Sequence, residues 1–386
     1  MNLTKWRAVW ADFQARLAAW AAHPLARWVM GGAAAGLLAG LLLLLYWRAP
    51  VGLDEESEKI TFFQIGTGAS DGPYFAVGGK LAAIVSRPPD AGRCEPGGPC
   101  GVEGLLAVVK SSAGSVANVR AVSAKHFESA LVQSTTLDQA FHGTGAFRGE
   151  KPFTNLRAIA SIYHEAVHLI ASRGANIHSV ADLAAHRISI GAKGSGTAEV
   201  ALDILRAYGL NPAKLDIIRE DPARSQEMLL TNQIDAFFLV ASAPSDVVES
   251  LAARGNIDVV PIAGEQAAKL ITSHSQFRAL HIPDGTYRLI PATDTLALSA
   301  VWICNASADS SLVYEMTRAL FDPGNRDFLP ISQEMPPLPP KHDKAAEQAS
   351  RILLMQSAVE NLPIPLHAGA SRFYTEEGVL PLKPGS

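Results

Sequence analysis

Two histidines four residues apart, with a glutamate beside the first, stand at His164-Glu165-Ala166-Val167-His168. On a helix this spacing turns both imidazoles toward one zinc ion and leaves the glutamate as a base. On a strand the same four residues span about 13 Å, too far for a single metal. The surrounding SIYHEAVHLIAS alternates like a strand, Ala171 stands where the extended motif has glycine, and no third ligand with its own motif follows. The expectation is two polar residues on a strand. A second stretch, Gly68-Ala69-Ser70-Asp71-Gly72, has the form of a nucleophile elbow, in which a strained strand-to-helix turn exposes a serine. It follows the first strand of its domain, so the strands and oxyanion-hole segment that normally precede an elbow have no room. A serine hydrolase using Ser70, or a zinc metalloprotease using His164, Glu165 and His168, remains the enzyme alternative; a non-enzyme is the expectation.

The third stretch, Gly194-Ser195-Gly196-Thr197, joins a strand (RISIG) to a helix. Unpaired N–H groups and the helix dipole at such a junction attract anions. Lys193 precedes the turn, which excludes the nucleotide-binding P-loop, and Ser195 or Thr197 can also act simply as an N-cap. The same device occurs three times, in GTGASDGPYF (66–75), SSAGSVANV (111–119) and GAKGSGTAEV (191–200). Three glycine- and hydroxyl-rich helix starts facing one cleft would hold a small anion, such as a carboxylate, without a catalytic triad.

The elements that must position these turns alternate. Apolar β-like runs lie at 60–66, 105–111, 127–134, 156–163, 166–173, 187–191, 214–220 and 234–241, with amphipathic stretches between several of them. This pattern predicts an α/β fold with mainly parallel sheets, in two parts of roughly 100 residues each. Beyond about residue 264 the expectation is a turn and strand at 282–290, a strand at 295–305, and helices at 311–321, 342–363 and from 367. Ser179 or Asp182 should cap a short helix, and Gly209 should end the helix that begins near 196.

The chain has 386 residues, 48% hydrophobic and 18% charged, with net charge −4. No basic excess is available for a phosphate backbone, so nucleic acid is not an expected partner. Part of the apolar content is one uncharged stretch, Trp28–Trp47, long enough to cross a bilayer and bracketed by Arg27 and Arg48. Lys5, Arg7, Arg16 and Arg27 precede it against Asp12 alone, and Asp54, Glu55, Glu56 and Glu58 follow. The positive-inside rule places 1–27 in the cytoplasm, 28–47 in the membrane, 48–59 as a linker, and the rest outside. A cleaved signal peptide is the alternative, although Tyr46-Trp47-Arg48-Ala49 lacks the usual small-residue cleavage site. Cys94 and Cys100 close the turn-rich CEPGGPC and read as a disulfide in an oxidising compartment, whereas Cys304 in AVWIC reads as a buried thiol.

With these residues in place, the chain resembles the TAXI-type solute-binding proteins of TRAP transporters. The resemblance runs from about Ile60 to Gly378. It is carried by GTG…YFAVGG (66–79), CEPGGPCGVEGLLAV (94–108), GSVANV (114–119), ALVQS (130–134), EAVHL (165–169), VADLAAHRISIGAKGSGT (180–197), IDAFF (234–238), IPDGTY (282–287) and IPLHAGASRFY (364–374). It implies a two-lobed, type II periplasmic-binding-protein-like α/β fold, which in this chain follows the one transmembrane helix expected at 28–47. The implied segments are 60–150 in lobe 1, 151–262 in lobe 2 and 263–386 returning to lobe 1. It further implies a small anionic solute (a dicarboxylate or glutamate-like amino acid), delivery to membrane permease subunits, and a periplasmic binding domain; typical members are released soluble proteins, so the expected tether of this chain to the inner membrane is a departure. No cofactor or metal is implied. The matched cleft positions are Thr67, Gly68, Ser70, Tyr74, Ser112, Ser115, Asn118, Gln133, Ser134, Ser195, Gly196, Thr197 and Phe238. Tyr74 is suited to stack on or hydrogen-bond the solute, and Gln133 and the hydroxyls to orient it. Departures from the family pattern are His164, where proline is commoner, the segment LVASAPSD before and after Pro244, and the proline-rich Pro336–Pro340. A solute-gated sensory component is a further alternative.

Overall fold

The computed structural model describes residues 3–22, 60–89, 91–92, 94, 100–328 and 344–381, together with 36, 40 and 41. It divides into two units, residues 1–59 and 60–386. In the first, α1 covers Leu3–Ala21. The expected span at 28–47, the linker at 48–59 and the prolines at 336–340 lie outside the described residues, apart from positions 36, 40 and 41. Among the described residues no helix is long and apolar enough to cross a membrane.

The second unit alternates strands and helices as the apolar runs require. Its elements begin with β1 Thr61–Gly66, α2 Pro73–Val85, β2 Ser86–Arg87, β3 Val102–Glu103, β4 Leu105–Lys110, α3 Ser115–Ser123, β5 Ser129–Gln133 and α4 Ser134–His142. There follow β6 Leu156–Ser172, β7 Arg187–Ser189, α5 Gly196–Ala207, β8 Asp216–Ile218, α6 Pro222–Leu230, β9 Ala236–Ala241, α7 Asp246–Ala252 and β10 Ile257–Val260. The last are α8 Glu265–Ser273, β11 Arg278–Ile282, β12 Thr293–Asn305, α9 Ser310–Leu320, α10 Lys344–Val359 and α11 Ala368–Glu376. Gly209 takes a positive φ two residues after α5, and a capping box joins Ser179 to Asp182, as expected.

The twelve strands among the described residues form one sheet, in the order β3-β2-β4-β1-β5-β12-β6-β9-β7-β8, with β10 on β6 and β11 on β12. The two halves share one logic. In the first, β4, β1 and β5 are parallel and the antiparallel β12 follows, then β6. In the second, β8, β7 and β9 are parallel and the antiparallel β6 follows, then β10. Each half thus borrows its antiparallel strand from a long strand that crosses between halves. The apolar runs at 156–163 and 166–173 are a single seventeen-residue strand, β6, for this reason.

Core membership follows the crossing. Ile159, Ala160 and Tyr163 pack with Phe63, Leu131 and Trp302, while Val167 and Leu169 pack with Ile188, Phe238 and Leu298. A second cluster covers the other face of each half, around Val132 and Phe147 in one and Phe237 and Leu251 in the other. Each half is therefore a helix-covered sheet with apolar surface on both faces. The crossing point is His164 on β6 opposite Ser299 on β12. Residues beyond 263, including Ala267, Leu270 and Phe277, pack in the second half, and β12 passes to the first half only after Leu298.

One expected element is absent. The strand expected within 282–290 is a turn, because Pro283, Pro291 and positive-φ Gly285 break extension there. The strand lies before it, at β11. Tyr287 and Ile290 from the turn fill the second half's core instead. A disulfide joins Cys94 to Cys100, and Cys304 is buried, with its thiol pushed up to about 12 by desolvation.

Candidate functional site

A cavity of about 260 Å³ lies between the halves, at the C-terminal ends of both sets of parallel strands. Open α/β sheets leave a crevice there because neighbouring connections leave to opposite sides. From the first half come Gly68, Tyr74, Ser112, Gly114, Ser115 and Gln133; from the second come Gly191, Ser195, Gly196, Thr197, Glu220, Asp221 and Phe238. Glu165 reaches it from β6, just past the crossing point.

The three glycine-rich turns do converge. Gly72 precedes α2, Gly114 is the N-cap of α3 and Ser195 that of α5, and all three line the cavity. Ser195 Oγ accepts from the Ala198 N–H at 3.2 Å. Gly196 and Thr197 carry the first two N–H groups of α5, which have no partner within the helix. A fourth helix start was missed. Asp221 caps α6, accepting from the Arg224 N–H at 2.8 Å, with Pro222 at its first position. The strand-then-Asp-Pro pattern signalled it, without glycine or serine to match the other three.

The halves touch around these turns. The Val116 N–H of α3 donates to the Gly194 carbonyl across the cleft at 3.1 Å. Gln139 Nε2 on α4 donates to Asp203 Oδ2 on α5 at 2.9 Å. Gln133 is 4% exposed, lines the cavity, and its Oε1 accepts no hydrogen bond. Such a buried acceptor calls for a donor from whatever occupies the space.

Four expected residues lie elsewhere. Ser70 is exposed at the tip of its turn, outside the cavity lining. Thr67 Oγ1 donates to the Lys110 carbonyl at 2.9 Å and is wholly buried. Asn118 donates to the carbonyls of Thr67 and Leu131 at 2.6 and 2.8 Å and accepts from Ser112 Oγ at 2.7 Å. Ser134 Oγ accepts from the Ser299 N–H at 3.1 Å. Thr67, Asn118 and Ser134 hold the turns and the crossing in place from behind.

The motif at 164–168 lies on β6, so alternation separates its members. His164 Nδ1 meets Ser299 Oγ at 3.1 Å, and His168 Nε2 meets the Tyr287 hydroxyl at 2.8 Å. Glu165 points the other way, fully buried. Tyr74 donates to its Oε2 at 2.9 Å and Tyr163 to its Oε1 at 3.4 Å. Desolvation pushes Glu165 up to about 8, against the lowering effect of the two hydroxyls. No lysine, arginine or histidine is among the residues that line this cavity, whereas Glu165, Glu220 and Asp221 are. The chemistry on offer is therefore helix N-termini, hydroxyls and carboxyl groups around one cavity.

Fold and cleft together define an α/β protein of two helix-covered halves joined by crossing strands. The chain belongs to the NMT1-like family, whose model matches residues 65–378. Among solved structures it is similar to the alkanesulfonate-binding protein SsuA from Xanthomonas axonopodis pv. citri bound to MOPS. That likeness has 13% identity and a TM-score of 0.42 over 84% of this chain and 96% of the other. A Bordetella bronchiseptica protein is 14% identical, with a TM-score of 0.46 over 82% of this chain and 98% of its own. PhnD1 from Prochlorococcus marinus, solved with methylphosphonate, is 9% identical, with a TM-score of 0.43 over 69% of this chain and 88% of its own.

Proposed function

We propose that this protein is the extracytoplasmic solute-binding component of a TRAP-type transporter of the TAXI branch, held at the inner membrane by residues 28–47. On this reading the two halves are lobes that close over one small solute, which is then handed to a membrane permease without chemical change. The observation that carries it is the cavity framed by helix starts from both halves, with Gln133 Oε1 left unpaired beside it. The family match and the ordered motifs from 66 to 374 support the solute-binding reading.

The lining favours one of the two solute classes that the sequence suggests. A plain dicarboxylate would meet the carboxylates of Glu220 and Asp221 and no lysine, arginine or histidine among the lining residues. A glutamate-like amino acid puts its carboxylates at the starts of α3 and α5 and its ammonium at the carboxyl groups. Thermal-shift screening of residues 60–386 against organic acids and amino acids tests this. A rise in Tm with acidic amino acids and none with succinate or malate is the expected result. The absence of a shift with every small acid and amino acid would overturn the solute-binding reading.

A further inference from the structure

The N-terminal helix carries an apolar face that nothing among the described residues of its unit covers. Trp10, Phe13 and Leu17 on α1 are 57%, 56% and 47% exposed, and Val9 lies beside them at 64%. Their spacing of three and four residues sets them on one stripe of the helix, and the sequence continues that spacing with Trp6 and Trp20. The Trp10 and Phe13 rings meet edge to face at 6.0 Å. Lys5, Arg7 and Arg16 are set against Asp12 alone, and Arg16 pairs with Asp12 on the exposed surface at 2.9 Å.

We infer that α1 lies flat in the interface of an anionic bilayer, its aromatic stripe buried at the headgroup–acyl boundary and its basic residues among the headgroups. Three features of the chain select this occupant. Tryptophan and phenylalanine on the apolar side with lysine and arginine flanking it are what an interfacial helix needs, because indole rings favour the headgroup level. The excess of basic over acidic residues matches anionic lipid and would repel a second copy of the same helix. The uncharged run Trp28–Trp47 begins a few residues beyond Ala21, which brings a bilayer to the end of this helix. The interfacial site does not depend on that run spanning the membrane, since a helix of this kind binds from one side.

The test uses the full chain in phosphatidylcholine vesicles with and without phosphatidylglycerol. Spin labels are placed by Phe13→Cys on the stripe and by Ala15→Cys on the opposite side. Labelling is specific because Cys304 is buried and Cys94 and Cys100 are paired. With phosphatidylglycerol present, the Phe13→Cys label should show several-fold higher collision with oxygen, and several-fold lower collision with an aqueous nickel chelate, than the Ala15→Cys label. Trp10→Asp with Leu17→Asp should abolish that contrast while the Tm of the second unit stays unchanged. Equal aqueous exposure of both labels, or failure of the chain to float with the vesicles, overturns the proposal. So does a Phe13→Cys label shielded from both reagents and broadened by a second label, since that describes a helix pair.

Discussion

Gly114 and Ser195, from opposite halves of the sheet, meet backbone to backbone: a Cβ on Gly114 would lie 3.0 Å from the Ser195 Cα. Gly114 also sits at φ +112, where side chains are disfavoured. The neighbouring Gly196 has the same constraint from the other side, since its added Cβ would collide with Gln133 Oε1 and lie 2.7 Å from Ser115 Oγ. Glycine therefore permits the halves to touch as well as shaping the turns. Gly196→Ala, at an ordinary helical position, should weaken solute binding by about 1–3 kcal/mol, the usual cost of overpacking. The Tm without solute should change little. Calorimetric titration with the best solute checks this; unchanged affinity would mean the contact is not part of the bound state.

Glu165 should make binding depend on pH. Burial raises its folded pKa to about 8 from the ordinary 4.5. The carboxyl is therefore mostly protonated at neutral pH, and pairing with a solute ammonium must drive its proton off. Affinity should rise as pH climbs from 6 toward about 8, with proton release seen as buffer-dependent heat in calorimetry. Glu165→Gln should lose both effects. The stability sign is the reverse. A raised acid pKa contributes stability fully below about 4.5, and that contribution is lost as pH rises through about 8. The isosteric Glu165→Gln should therefore raise Tm at pH 9 and change it little at pH 5.

The Gln139–Asp203 bond is the second contact between the halves, and it lies away from the cavity lining. Asp203 is largely buried and its pKa is raised, with desolvation the main cause and His274 and Arg206 opposing it. A hydrogen bond to a charged group contributes about 1.5–3 kcal/mol. If that contribution belongs to the closed arrangement, Gln139→Ala should weaken solute binding several-fold although it touches no solute. Asp203→Asn, which keeps an acceptor for Gln139, should weaken it less. Equal losses in the two variants would assign the effect to charge and not to this bond.

Much of the site was legible because helix starts are local. A strand end, a glycine and a hydroxyl announce an N-cap within ten residues, and three such signals found the turns at Gly68, Gly114 and Ser195. What they did not show is which side chains turn inward. Thr67, Asn118 and Ser134 have the chemistry of ligands, yet their partners are the carbonyls of Lys110, Thr67 and Leu131 and the N–H of Ser299. Those partners are set by strand register. Glu165 was hidden for the same reason. Its hydroxyl partner Tyr74 is 91 residues earlier, and its place beside the cavity exists only because β6 crosses there. The crossing itself left little trace, since β12 reads as one buried run whether it serves one half or two.

His168 and Tyr287 provide the last test, of whether the 164–168 motif binds metal or holds the fold. Ser245 donates its N–H to the Tyr287 hydroxyl at 3.1 Å, and the same hydroxyl shares a hydrogen bond with His168 Nε2 at 2.8 Å. Burial holds the imidazole's pKa down at about 4, so it is neutral at pH 7. Because the folded pKa is below the ordinary 6.5, this histidine's contribution to stability is lost as pH falls from about 6.5 toward 4. Tyr287→Phe removes both the hydrogen-bond partner of His168 and the acceptor for Ser245, and should cost about 1–3 kcal/mol. Chemical denaturation at pH 7 measures that loss, and a chelator should leave the midpoint of the parent protein unchanged. A midpoint that falls with chelator and recovers with zinc would restore the metal reading, because a strand-bound Tyr–His pair has no term that responds to either.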